Sequence, residues 1–265
     1  MVFLKFKEEL KNLVKLSEEE FSLLPSGFQT VGSVAVLNLP KELDERAGMV
    51  GEALMKAYPR IKTVCVKTGG VKGFQRLPSV KKVAGNGTVT VHRESGVLFR
   101  LDVSKVMFSK GNLFERSRLV KEVGRETVVD LFAGIGYFSI PIARFCPVKR
   151  VVGVEVNPSS FRFLKENVEL NSVEKVYTPV LGDCRKVVLP RADRVLMGFF
   201  PGTEGFLDTA LKIVRKGGRI HYHNIARSKE EFLKPVLEKG LKVLGVRKVK
   251  SFAPRVWHWV ADLTT

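Results

Sequence analysis

The chain has 265 residues, 45% of them hydrophobic, enough for one large domain or two modest ones around a buried core. No apolar run approaches the roughly 18 residues of a membrane span, and the charged start MVFLKFKEELKNLVK lacks the apolar block of a secretory signal, so a cytoplasmic location is expected. The formal net charge of +18 is uneven: residues 1–50 hold 6 basic and 8 acidic groups, residues 51–125 hold 16 and 5, and the remainder 23 and 14. Such an excess favours a polyanion through counterion release, and RNA or DNA is the obvious one; a Lys-rich surface adapted to heat or to solubility is the competing reading. Cys65, Cys146 and Cys184 are too scattered for a disulfide framework or a metal knuckle, so buried thiols and no metal are expected.

In chain order, the first fifty residues read as a small helical and turn-rich cap, with Ser17 ahead of Glu18, Glu19 and Glu20 as a helix N-terminus. From Ile61 to Val106 the short β-branched pieces TVCVKT, VTVHRE and VLFRLDVSKVMF, punctuated by glycines, predict an antiparallel sheet with hairpins. Glu115 to Glu122 is helical in character. From Glu126 onward strands and helices alternate, ETVVDLF, RVVGVEV, KVYTPVLGD, DRVLMGF and GGRIHYHN each being followed by a helix or turn, with two strands at the end. That alternation predicts an α/β, doubly wound, Rossmann-like sheet behind a smaller β-rich N-terminal domain. The expected boundary lies near residue 120: residues 1–120 form the cap and basic β-rich region, and 121–265 the Rossmann-like domain.

Val128 to Gly136, VVDLFAGIG, is an apolar strand running into a Gly-x-Gly turn and a helix, a place where backbone can approach a ligand and N–H groups face it. Taken alone, this could be a tight turn packing a helix on a strand. The next strand ends at Glu155, where a carboxylate can accept ribose hydroxyls, and Asn157-Pro158 then caps a helix with Phe161, Leu164 and Val168 on one face. A third strand ends in Gly182-Asp183-Cys184, where an acid can accept from an adenine amino group. Ser139 stands where a pyridine-dinucleotide fingerprint has its last glycine, which argues against NAD. An acidic residue after each of the first three strands looks like a class I S-adenosylmethionine (AdoMet) enzyme.

The segments DLFAGIGYFSIPIA, GVEVNPSSFRFLKENVELN, GDCR, DRVLMGF and GGRIHYHN, preceded by HRESGVLFRLDVSKVMFSKGNLFERSR, resemble the enzymes that act on guanosine 37 of tRNA. Within that branch the chain is most similar to the archaeal tRNA wybutosine-synthesising protein 2 family, over about residues 88–262. The resemblance implies transfer of the 3-amino-3-carboxypropyl group of AdoMet to 4-demethylwyosine at position 37 of tRNA(Phe), with release of 5′-methylthioadenosine. The partner it implies is the tRNA anticodon loop, contacted by the basic N-terminal region. The sister family of guanosine-37 N1-methyltransferases carries an Asn-Leu-Pro type motif after the fourth strand. Here Met197-Gly198-Phe199-Phe200-Pro201 puts Gly198 at the asparagine's place, with no amide to aim a guanine at a methyl group. A tRNA methyltransferase and a catalytically silent RNA-binding module are the alternatives.

The family's S-x-G-N-x-x-E-R segment maps onto Ser109, Gly111, Asn112, Glu115 and Arg116, which implies that Ser109 and Arg116 hold the methionine end, Arg116 through the carboxylate. The candidate cofactor-binding set is Ser109, Arg116, Phe132, Ala133, Gly134, Glu155, Asn157, Asp183 and Cys184. No proton acceptor is assigned. His223, on the fifth strand beside His221, is a candidate to accept a proton or orient the acceptor base, with a hydrogen-bonded structural histidine as the alternative. Alternation in RVWHWVADL predicts a last strand with packed Trp257 and Trp259 rather than a base-stacking surface.

Overall fold

The structure, a computed structural model, describes residues 3–70, 73, 77–108 and 112–265. The chain divides into two units, Met1–Phe108 and Ser109–Thr265. The division falls ahead of the boundary expected near residue 120, because helix α4 (Leu113–Glu122) is ion-paired to the last strands of the second unit through Glu115 and Arg118.

In the first unit, α1 (Phe3–Lys11) and α2 (Glu18–Ser22) precede a hairpin of β1 (Gln29–Val31) and β2 (Val34–Leu37), then α3 (Ala47–Ala57), β3 (Thr63–Lys67) and β4 (Val80–Gly85). The expected helix start at Ser17 is a capping box: the Ser17 hydroxyl accepts from Glu20 N and Glu20 accepts from Ser17 N. The four strands lie in the order β1-β2-β3-β4. β3 and β4 pair antiparallel, as the pattern over residues 61–106 predicts, while the first fifty residues, expected as a helical and turn-rich cap, also supply the strands β1 and β2. β2 and β3 pair in parallel, Val34 with Thr63 and Leu37 with Val66, since α3 crosses over between them and returns the chain in the same direction. Buried Val34-Ala35-Val36-Leu37 is a short continuous apolar run, which periodicity does not separate from helix. β5 (Val89–Glu94) and β6 (Val97–Asp102) form the separate hairpin that was expected, anchored where Thr90 Oγ1 and His92 Nδ1 accept from Ser33 N and Gly32 N.

In the second unit the elements after α4 are β7 (Thr127–Asp130), α5 (Ser139–Phe145), β8 (Arg150–Glu155), α6 (Pro158–Leu170), β9 (Tyr177–Leu181), β10 (Ala192–Met197), α7 (Leu207–Ile213), β11 (Val214–Ala226), α8 (Lys229–Glu238), β12 (Lys242–Ala253) and β13 (Val256–Thr264). The seven strands lie in the order β12-β13-β11-β10-β7-β8-β9. β11, β10, β7, β8 and β9 are mutually parallel, and β13 and β12 complete one edge antiparallel. The order reverses between β7 and β10. In an open α/β sheet that reversal leaves a crevice at the carboxyl ends of the strands. Val129, Val152, Val195, Ile220, Ala261 and their neighbours fill the core under it. Helix α6 begins as expected, with the Asn157 side chain accepting from Ser159 N and Ser160 N and Pro158 in its first turn. Its buried face is Phe163, Leu164, Asn167 and Val168, with Phe161 half-buried beside it. Among the described residues no helix is long and apolar enough to cross a membrane.

Candidate active site

At the end of β7 the chain turns sharply, with Gly134 at φ +60° and Gly136 at φ +96°, a region costly for any residue with a Cβ. A Cβ on Gly134 would lie 2.7 Å from the Tyr137 ring, and one on Gly136 2.3 Å from Ile140. The turn is stitched to the sheet: Ala133 N donates to Val154 O, and Ala133 O accepts from Gly136 N. Ala133 is buried, so its part is to shape the turn, while Phe132 and Gly134 keep some exposure.

Glu155 is the partner of that turn. Its Oε2 accepts from Gly134 N at 2.8 Å and its Oε1 from Asn157 N at 2.7 Å, leaving further lone pairs on each oxygen for a diol. Burial raises its carboxyl pKa, against the lowering effect of the Asn157, Gly134 and Val156 N–H groups. Asn157 itself is buried and spends its side chain on the α6 cap, so it acts through Glu155 and the helix.

Asp183, after β9, is held by Arg185: Nε at 3.0 and 3.1 Å, Nη2 at 2.5 Å and the backbone N at 3.0 Å. Those bonds hold its carboxyl pKa below the usual value, and the Arg185 guanidinium lies 4.7 Å over the Phe206 ring. Cys184 is 5% exposed, with burial raising its thiol to about 12; its side chain belongs to the core and only its backbone can face a ligand. All three cysteines are free and buried, as the sequence predicted.

From α4, buried Arg116 is brought to the glycine turn, its guanidinium 5.2 Å from the Tyr137 ring centroid and 6.0 Å from that of Phe138. Ser109 lies outside the described residues. Next to Arg116 in the chain, fully buried Glu115 accepts from Arg118 on one oxygen and from Arg247 on the other. Arg118 and Arg247 both continue to Asp262, whose Oδ1 meets His221 Nδ1 at 2.6 Å, and His221 Nε2 meets Arg194 Nη1. Burial and the surrounding arginines lower the His221 pKa against the pull of Asp262. Glu122, His221 and Asp262 are close enough to share a cation, but three guanidinium groups already occupy these oxygens and the imidazole. No local pattern points to this network, because its members come from α4, β10, β11, β12 and β13.

Gly198 follows β10, and a Cβ there would stand 3.1 and 3.3 Å from two carbons of the Phe138 ring. An asparagine at this position therefore requires Phe138 to give way. The far side of Phe138 meets His223, ring centroids 5.3 Å apart, and His223 Nδ1 meets His258 Nε2 at 3.1 Å. Both histidines are buried, and burial holds the His223 pKa well below its ordinary value. Trp257 and Trp259 pack: the Lys248 ammonium sits 3.3 Å over the Trp257 ring, and Trp259 stacks on Phe232 and donates to Ala226 O.

The glycine turn, Glu155 and Asp183 thus lie at the carboxyl ends of β7, β8 and β9, and buried Arg116 lies against Tyr137 of that turn. Residues 90–245 match the TRM5/TYW2 methyltransferase domain, and residues 6–88 the TYW2 N-terminal domain. The chain belongs to the TRM5/TYW2 family. It is 39% identical, over 89% of its length and 96% of the relative's, to tRNA(Phe) (4-demethylwyosine(37)-C(7)) aminocarboxypropyltransferase of Methanocaldococcus jannaschii. The solved structure of Pyrococcus horikoshii TYW2 in complex with MeSAdo superposes with a TM-score of 0.85 at 36% identity, covering 99% of this chain and 98% of that one. A tRNA (guanine(37)-N(1))-methyltransferase Trm5b of Pyrococcus abyssi is 33% identical over 95% of this chain and 78% of its own length. A TRM5/TYW2 chain needs room for an adenosine and a methionine tail, and the residues here suit AdoMet. The turn approaches without side chains, Glu155 offers lone pairs to a diol, and Arg116 offers a guanidinium to a carboxylate.

Proposed function

We propose that this protein transfers the 3-amino-3-carboxypropyl group of AdoMet to C7 of 4-demethylwyosine at position 37 of tRNA(Phe), in wybutosine-type biosynthesis. When bound, AdoMet supplies a sulfonium with three electrophilic carbons, and attack on the γ-carbon of its methionine chain gives this product and 5′-methylthioadenosine, whereas attack on the methyl gives methylation. The chain's task is to choose the carbon by orientation. In this reading Glu155 and Asp183 bind the adenosine, with Arg185 released from Asp183. Phe132, Ala133 and Gly134 shape the floor, Asn157 and Cys184 contribute through backbone and capping, and Ser109 and Arg116 hold the methionine tail. His223, its Nδ1 on His258 Nε2, is the candidate to accept a proton or orient the acceptor base.

The observation that carries the choice is Gly198. No amide stands there to aim a guanine edge, and the Phe138 ring fills the space where a side chain would begin. The basic stretch over residues 51–125, most of whose Lys and Arg lie in the N-terminal unit, supports tRNA contact there, with the anticodon loop as the part delivered to the crevice. A cytoplasmic location accords with a tRNA substrate. Mass analysis of tRNA after incubation with AdoMet tests the proposal. A gain of one aminocarboxypropyl group on nucleotide 37 is expected, and a gain of a single methyl group would replace this reading with the methyltransferase one.

A further inference from the structure

The β12–β13 hairpin closes on the same edge of the sheet as the glycine turn. β13 runs antiparallel to β11, pairing Trp257 with Ala226 at that strand's carboxyl end, and Ala253 pairs with Val256 across the turn. The pairing there is irregular. Ser251 opposes Trp257 and Ala253 opposes Val256, so Phe252 is an extra residue, a bulge, and a bulge re-aims the side chain it carries. Phe252 is 47% exposed, and its ring lies edge-on to Phe200, centroids 6.1 Å apart at 79°.

Phe200 is buried two residues past Gly198 and stacks on His258, centroids 4.2 Å apart at 24°. His258 meets His223, His223 meets Phe138, and Phe138 faces Gly198. A continuous row of flat rings therefore links exposed Phe252 to the place where the acceptor is handled. The surroundings are basic: from Lys239 to Ala261 the sequence has six Lys or Arg and no Asp or Glu. Arg255, exposed at the hairpin tip, is held at φ +61°, a conformation that relaxed turns give to Gly or Asn. One face of Trp257 is covered by Lys248.

An exposed aromatic ring in a basic run, on a hairpin that turns at the carboxyl end of the parallel strands, matches single-stranded RNA, in which every base has a π-face and every link a phosphate. We propose that Phe252 is a stacking platform for a base flanking nucleotide 37, with Arg255 beside the backbone phosphate. The proposal rests on the tRNA reading above and adds the surface that splays the loop.

The test is the dissociation constant for tRNA bearing 4-demethylwyosine, measured by fluorescence anisotropy, for the full chain and for Phe252→Ala, Phe252→Leu and Phe252→Trp. AdoMet affinity is measured separately by calorimetry without RNA. Phe252→Ala should weaken tRNA roughly 5- to 150-fold, the range that loss of one base–aromatic stack implies. Phe252→Leu should stay weak, Phe252→Trp should recover, and AdoMet affinity should be unchanged in all three. Arg255→Gln should lower the slope of log affinity against log salt by roughly 0.7. Wild-type tRNA affinity in Phe252→Ala or Phe252→Leu overturns the platform. The functional reading fails separately, if the wild-type chain binds this tRNA and releases no 5′-methylthioadenosine.

Discussion

Asp130 ends β7 directly beneath the glycine turn and is 1% exposed. One carboxylate oxygen accepts from Phe132 N at 3.2 Å. Burial, with a smaller contribution from Glu155, raises the carboxyl to about 7, against the lowering effect of the Ser139 hydroxyl and the Phe132 N–H. An unfolded Asp ionises near pH 4, so between about pH 4 and pH 7 the folded chain holds one proton more than the unfolded chain. The stabilising contribution of this proton is therefore complete below about pH 4 and is lost as pH rises through about 7. A shift of about three pKa units at 1.36 kcal/mol each amounts to about 4 kcal/mol. Asp130→Asn has the same shape, still accepts from Phe132 N and does not titrate. Urea unfolding of both proteins without ligand, across a pH series from about 4 to about 8, gives the difference in stability. That difference should move by about 4 kcal/mol in favour of the variant as pH rises. Parallel profiles would refute the argument, and a difference growing in favour of the wild type would mean that the buried carboxylate is ionised and paired.

Glu155→Ala and Asp183→Ala should each weaken AdoMet by about 0.5–3 kcal/mol, the range for a lost hydrogen-bond acceptor. In Glu155→Ala the Gly134 and Asn157 N–H groups also lose their partner. Calorimetry without RNA checks both, and unchanged affinity in a folded variant removes that residue from the site. Affinity for tRNA should fall steeply with salt, and charge reversals within residues 51–125 should matter more than those within residues 1–50. Filter binding over a salt series measures this; a flat dependence would assign the charge to heat or solubility.

What was legible in the sequence follows the range of the interactions that build each part. The order of strands and helices after Glu126, the turn at Gly134, the Ser17 and Asn157 caps and the last strand with its packed tryptophans are local patterns, and the structure has them where the sequence put them. The parallel β2–β3 pair was hidden because Val34 to Leu37 has no period to read, and the division at Phe108 because it depends on Glu115 and Arg118 reaching β12 and β13. Among candidate site residues, Glu155, Asp183 and Arg116 could be named from the sequence. It did not reveal that Arg185 closes on Asp183, that Cys184 points into the core or that Phe138 fills the space at Gly198. These are contacts between side chains on different elements. A bulged Phe252 in the acid-free run from Lys239 to Ala261 was visible only as composition.

Chromatography of the nucleoside co-product, after incubation of the protein with AdoMet and tRNA bearing 4-demethylwyosine, asks directly which carbon is presented. With Gly198 backed by Phe138 and no amide to aim a ring nitrogen at the methyl group, 5′-methylthioadenosine should be released, and tRNA with unmodified guanosine 37 should be a poor acceptor. Release of S-adenosylhomocysteine as the main co-product from the modified tRNA would contradict the aminocarboxypropyl assignment.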